Sequence, residues 1–195
     1  IFDPAAVVVG YDFCFGKDRR GHADTLKTWG EQNGISVEVM PPFLVDGAPV
    51  SSSRIRKELS AGNISEATRL LGRRFEISGT IVHGDGRGKS IGFPTVNIQC
   101  EEALLPGRGV YAVELDLRGG RRLGCANLGY RPTFHSDQTD LLMEVHILDF
   151  DEQVYGEKIR IRFLERVRDE KKFSSVEELV RQISDDVAHV RKHFR

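Results

Sequence analysis

At Arg73 the spacing of apolar residues changes period, and this change limits the folds open to the 195-residue chain. Beyond it, Phe75, Ile77, Gly79 and Ile81 alternate with polar residues; so do Tyr111, Val113, Leu115 and Leu117, and later Ile159, Ile161 and Phe163. Successive strand side chains point to opposite faces, so each run has one face to bury and one to leave open. Several such runs, broken by Gly, Pro and Asp turns, predict an antiparallel sheet or small barrel. The chain closes on a helical stripe, Val176, Leu179, Val180, Ile183, Val187 and Val190. Ser174 and Ser175 stand three residues ahead of Glu177 and Glu178, the pattern of a capping box.

Residues 1–72 follow a different rhythm. Val7–Val9 is a short apolar run ending at Gly10, as a buried strand running into a loop does. Helical spacing covers Ala23 to Asn33 and stops at Gly34, a C-cap glycine. Ile35 to Val39 is a second strand, closed by Pro41 and Pro42. "SSSRIRKELSAGN" opens with N-cap serines and ends at Gly62-Asn63, and a further helix spans 64–71. Strand and helix in alternation predict an α/β unit with a parallel sheet. The chain therefore divides into 1–72 and 73–195. It has no initiator Met, and its first residues read like the middle of a domain, so a fragment of a longer protein is expected.

Bulk chemistry narrows the function classes. A net charge of −1 argues against a nucleic-acid or membrane-surface role driven by charge alone. No apolar run approaches the ~20 residues needed to span a bilayer. Cys14, Cys100 and Cys125 form neither a CxxC pattern nor an even set, which points to reduced thiols in the cytoplasm.

Four stretches carry chemistry. In "HGDGRGKSIGFPTVN", Gly84, Gly86 and Gly88 permit a tight, mobile loop, and Arg87 and Lys89 add positive charge. Backbone N–H groups in such a loop can approach a phosphate closely. It is no Walker loop, which needs GxxxxGK[ST]. Pro94 fixes its own φ and presents Thr95 rigidly. The Thr95 hydroxyl suits Mg²⁺, which takes few protein ligands and completes its shell with water and phosphate oxygens. Asn97, two residues on, faces the same way. A glycine-rich hairpin with a structural Asn explains the spacing equally well. In "LLMEVHILDF", Met143, Val145 and Ile147 share one strand face and Glu144 and His146 the other. A desolvated carboxylate has its charged form disfavoured, which suits a general base; an ordinary outward glutamate also fits the alternation. His146 reads as structural, and the other five histidines have no metal-ligand spacing.

The remaining two stretches lie before residue 72. Ser51, Ser52 and Ser53 at a helix start, with Arg54 and Arg56, can meet an anion; as plain caps followed by solvated arginines they are equally ordinary. "GYDFCFGKDRRG" follows a parallel strand at its carboxyl end, where α/β sheets bind ligands, and Tyr11, Phe13 and Phe15 can line a flat ring; a loop whose aromatics pack locally fits equally well.

Taken in order, "GYDFCFGKDRRG", "VSSSRIR", "GTIVHGDGRGKSIGFPTVNI", "GVYAV", "ANLGYRPTF", "MEVHILDFDEQVYG" and "EKKFSSVEELVRQI" resemble the bifunctional bacterial FAD synthetases, over nearly the whole chain. These pair an FMN adenylyltransferase with a riboflavin kinase. The resemblance implies the C-terminal half of a Rossmann-like nucleotidyltransferase domain in 1–72 with linker helices. It implies a small antiparallel β-barrel with a C-terminal helix in 73–195, phosphorylating riboflavin to FMN with ATP. Through the PTxN match, Thr95 and Asn97 would hold Mg²⁺ and nucleotide phosphates, with Gly84, Gly86, Arg87, Gly88 and Lys89 as a flap above them. Glu144 falls on the catalytic base. Asn127 and the "GYRPTF" turn would lie near nucleotide and flavin. In the adenylyltransferase part, Ser51, Ser52, Ser53, Arg54 and Arg56 would touch ATP, and Asp12, Phe13 and Phe15 the flavin. The first strand and HxGH-type motif of that module are absent from this sequence, so FMN rather than FAD is the expected product. A flavin-binding module without catalysis is the alternative.

Overall fold

The computed structural model describes residues 4–84, 86–101, 104–131 and 140–194. Two compact units divide between Ser51 and Ser52.

The first unit is one β-α-β element with small additions. Strand β1 (Ala6–Gly10) leads into a two-residue hairpin, β2 (Cys14–Phe15) against β3 (Gly21–His22), and then helix α1 (Ala23–Asn33). Strand β4 (Ser36–Met40) returns parallel to β1, with Ala6 opposite Ser36 and Gly10 opposite Met40. Gly34 ends α1 in the left-handed conformation (φ 69°), and the Ile35 N–H donates to the Gly30 carbonyl. Strands β5 (Leu44–Val45) and β6 (Ala48–Pro49) form a last short hairpin.

The second unit starts with helices α2 (Ser52–Ser60) and α3 (Ile64–Leu71). Strands β7 (Glu76–Val82), β8 (Val96–Cys100), β9 (Gly109–Leu117), β10 (Gly120–Arg131), β11 (Asp140–Ile147) and β12 (Lys158–Arg168) follow, with one helical turn, α4 (Arg87–Ser90), between β7 and β8. The six strands close a barrel in the order β10-β11-β8-β7-β12-β9, every pair antiparallel. Helix α5 (Val176–Phe194) ends the chain.

The alternation that begins after Arg73 fills this barrel. Ile77, Ile81, Val113, Leu115, Ile161 and Phe163 point inward and are almost wholly buried, joined by Ile98, Leu128, Met143 and Val145. The buried Tyr111 ring meets Phe163 edge-on at 5.4 Å, and its hydroxyl donates to the Gly107 carbonyl. Outside the barrel, Ala112 and Cys125 pack under Val190 of α5. The buried Asp186 of α5 accepts from Arg168 Nε and Nη2 at 2.9–3.0 Å, tying the helix to β12. The expected capping box forms: the Glu178 N–H donates to Ser175 Oγ, and its carboxylate accepts from the Ser174 N–H and hydroxyl.

Helices α2 and α3 pack with the barrel. Leu59, Ile64 and Ala67 belong to its core cluster, and the Gly107 N–H donates to the Leu59 carbonyl at 2.9 Å. The change of hydrophobic period at 73 thus comes just before the sheet, whose first strand starts at Glu76. The compact boundary lies some twenty residues earlier, because burial of those helices joins them to the barrel.

Candidate active site

Strand register builds the site. Asn127 of β10 stands opposite Glu144 of β11, and Glu144 stands opposite Asn97 of β8. The neighbours of Glu144 along β11, Met143 and Val145, fill the barrel interior. Glu144 therefore faces outward, and Asn127 and Asn97 flank it on the same outer face. Glu144 and Asn127 are half-buried, and Asn97 is 6% exposed. Adjacent cross-strand partners on one face lie ~4.5–5.5 Å apart at Cβ, so Glu144 has an amide side chain on either side of it.

The glycine loop covers one end of this row. Gly84 lies directly over the Asn97 amide: a Cβ there would fall 1.4 Å from Asn97 Nδ2. Gly88 lies against the Phe93 carbonyl and the Thr95 hydroxyl, with a would-be Cβ 2.2 Å and 3.1 Å away. Those two glycines are required by close approach. Gly86 is required by its backbone, at φ 70°. The loop is more ordered than an irregular glycine segment, because α4 makes a turn and the Phe93 N–H closes onto the Gly88 carbonyl at 2.9 Å. Lys89 is exposed on that turn; the Arg87 side chain lies outside the described part, as do residues 132–134 of the "GYRPTF" turn.

His146 sits on the same face as Glu144, one step along β11. Its Nδ1–H donates to the Pro94 carbonyl at 2.8 Å, and Phe93 meets its ring edge-on at 5.4 Å. It holds the Phe93-Pro94-Thr95 segment against the barrel, in keeping with a structural histidine. At the base of the loop, the exposed Tyr155 stacks on His83 at 3.7 Å between ring centres, a pair that no spacing in the sequence signals.

The arrangement offers a half-buried carboxylate, two amides and a hydroxyl beside a backbone-rich loop. Among the described residues no group of three or more His, Cys, Asp or Glu could hold a metal ion. Thr95 and Asn97 supply only a hydroxyl and an amide oxygen, hard donors that fit an ion brought in on a phosphate.

Comparison with known proteins assigns this barrel. The family model for riboflavin kinase matches residues 71–194. The chain belongs to the riboflavin kinase family. The model for FAD synthetase matches residues 2–54. Among curated relatives, the bifunctional riboflavin kinase/FMN adenylyltransferase of Listeria monocytogenes is 39% identical over 189 residues. Those residues make up 96% of this chain and 60% of that protein. The Escherichia coli protein of the same description has the same identity and coverage. The chain thus spans about 60% of the length of these relatives. A solved structure described as a macrolide-efflux protein from Streptococcus pneumoniae superposes with a TM-score of 0.87 at 35% identity, covering 96% of this chain and 60% of that one. Among the described residues of the family member described here, no helix is long and apolar enough to cross a membrane.

The candidate residues before 72 fall in both units, Asp12, Phe13, Phe15 and Ser51 in the first and Ser52, Ser53, Arg54 and Arg56 in the second. Phe13 and Phe15 stack on each other at 5.7 Å and remain partly exposed, and Phe15 also lies over Gly21. Asp12 turns its carboxylate back toward Gly10, 3.1 Å from where a Cβ would stand. Ser51, Ser52 and Ser53 are exposed where α2 begins, as is Arg56. Arg54 pairs with Glu66 of α3 at 3.4 Å.

One further carboxylate reaches the outer face of the barrel. Gly129, two residues beyond Asn127 on β10, lies beneath Glu170, whose Oε1 would stand 2.3 Å from a Cβ there. The sequence reading gives Glu170 no site role, although that residue opens the "EKKFSSVEELVRQI" stretch; a glycine inside a strand marks close approach without saying of what.

Proposed function

We propose that residues 73–195 phosphorylate riboflavin at its 5′-hydroxyl with ATP, giving FMN and ADP. The observation that carries this reading is the cross-strand row Asn127–Glu144–Asn97, with Thr95 and the glycine loop at one end. The loop N–H groups and Lys89 bind the nucleotide phosphates, and Thr95 and Asn97 are the residues that would hold an accompanying Mg²⁺. Held by Thr95 and Asn97, such an ion would supply charge neutralisation to the phosphates. Glu144 accepts the proton of the attacking hydroxyl as its oxygen bonds to the γ-phosphorus; the bond to the bridging oxygen breaks and ADP departs. Asn127 and Asn97 orient the attacking oxygen, since phosphoryl transfer depends chiefly on positioning and charge stabilisation.

Residues 1–72 are the remnant-sized portion of an FMN adenylyltransferase module with its linker helices, in our reading. Asp12, Phe13 and Phe15 are its flavin contacts, and Ser51, Ser52, Ser53, Arg54 and Arg56 its ATP contacts. Conversion of FMN to FAD then belongs to the longer protein. Three free cysteines and the use of ATP suit a cytoplasmic setting.

The test is incubation of the purified chain with Mg·ATP and riboflavin, followed by chromatography of the flavins. FMN should accumulate. Riboflavin binding without FMN formation would reduce the barrel to a flavin-binding module.

A further inference from the structure

The turn between β9 and β10 holds a residue that does not suit its backbone. Arg118 and Gly119 stand between the paired Leu117 and Gly120, and both have positive φ, 50° and 71°. Hairpins closed in this way favour Asn-Gly or Gly-Gly, because most L side chains are strained at positive φ. What the arginine brings is its guanidinium.

All three guanidinium nitrogens donate, and all to one segment, the connection from β11 to β12 at 148–157. Nε donates to Glu157 Oε1 at 2.9 Å, Nη2 to the Gln153 carbonyl at 2.7 Å, and Nη1 to the Glu152 carboxylate. A single exposed ion pair contributes little, whereas a planar fork on three groups of one segment fixes its path. Those three acceptors bracket Tyr155.

Tyr155 carries that path to the glycine loop. Its ring stacks on His83 at 3.7 Å between centres. The Gly156 N–H donates to the Ile81 carbonyl at 2.8 Å and the Ile81 N–H to the Glu157 carbonyl at 2.9 Å, joining the segment to the end of β7. Val154 is buried, but Tyr155 is 45% exposed, so its place against His83 depends on how the backbone around it is held. His83 in turn precedes Gly84, which lies directly over the Asn97 amide.

We propose that Arg118 is a positioning residue for nucleotide binding. It clamps residues 152–157 so that Tyr155 holds His83, and with it the glycine loop, in place over Asn97. This rests on the reading above that the loop binds the nucleotide phosphates, and adds to it a residue that acts from the far hairpin.

The experiment measures Mg·ADP binding by calorimetry, riboflavin binding by flavin fluorescence, and KM for both substrates, in the 195-residue chain and its variants. Arg118→Asn removes the fork, while asparagine accepts positive φ and keeps the turn. Its melting temperature should stay within about 2 °C of wild type. The Kd for Mg·ADP and the KM for ATP should rise about three- to tenfold, more than one exposed pair accounts for, with kcat and riboflavin affinity within about twofold. Glu152→Ala combined with Glu157→Ala should reproduce the effect. Adding Arg118→Asn to that pair should then weaken nucleotide binding by about twofold at most, because the three residues act as one network. Unchanged nucleotide affinity in Arg118→Asn overturns the proposal, and so do fully additive losses. An equal loss for riboflavin with lowered melting also overturns it, by making the residue structural. Weaker Mg·ADP binding in the variant of a chain that makes no FMN would sink the kinase reading and leave this inference standing; a chain that binds no Mg·ADP sinks both.

Discussion

In the barrel every strand has two partners, whereas among the described residues β1 and β4 have only each other. The consequences differ sharply. Val113, Leu115, Ile161 and Phe163 are fully buried, while Val8 is 61% exposed and Trp29 and Met40 nearly half exposed. A closed sheet satisfies its own edges and buries one face of each strand, so its outer face is free to carry polar chemistry. A two-stranded ribbon leaves both edges and much apolar surface open, and is marginal by itself. The barrel is thus a scaffold on which Asn127, Glu144 and Asn97 can be held rigidly. The first unit presents candidate residues without comparable support.

That contrast can be broken most decisively at Glu144. If the barrel carries the chemistry, Glu144→Gln lowers phosphoryl transfer by roughly 10²–10⁴-fold, the range for general-base catalysis, with riboflavin binding and melting nearly unchanged. Near-normal turnover would remove the base from this position. Next comes stability. Phe163→Ala opens a cavity against Tyr111 and Phe75 and should cost about 3–5 kcal/mol. Val8→Ala, at an exposed site, should stay within about 0.5 kcal/mol. Urea denaturation of both variants sharpens the comparison, and equal losses would end it. Thr95→Ala should raise the KM for Mg·ATP about tenfold while riboflavin affinity holds, consistent with loss of one ligand to a charged group. A shift confined to riboflavin would move the nucleotide elsewhere.

The smallest effect is on pH dependence. The Arg162 hydrogen bond holds the Asp116 carboxyl below its usual range, and the Ser174 N–H and hydroxyl do the same for Glu178. Depressed carboxylates contribute stability above their unfolded pKa, near ~4, and that contribution is lost as pH falls through the lowered folded values. Cys125 behaves oppositely: burial, reinforced by Asp186, pushes its thiol up to about 12. Its contribution is full below the unfolded thiol value, ~8.5, and is lost as pH rises toward 12. Denaturation midpoints across pH should be flat near neutrality and fall at both extremes, with Cys125→Ala reducing the alkaline fall. An unaltered alkaline limb would show that this buried thiol is not its source.

Local pattern determined much of this molecule. The period change at Arg73 announced the barrel, and Gly34 and Ser175–Glu178 marked helix ends that form as expected. The alternation around Glu144 puts Met143 and Val145 on one strand face and Glu144 on the other, because strand side chains alternate whatever lies across from them; the closed barrel decides that Met143 and Val145 face inward. Thr95 and Asn97 shared a face for the same reason. Sequence distance concealed the rest. Asn127, Glu144 and Asn97 become neighbours only because ring order sets β11 between β10 and β8, and register is a property of paired strands. Likewise, α2 and α3 join the barrel through Leu59, Ile64 and Ala67, since burial depends on which surface is nearest in space. Glu170 meets Gly129 across forty-one positions of chain. No local periodicity records such a contact; only the closing of the barrel and the path of the segment before α5 bring the two together.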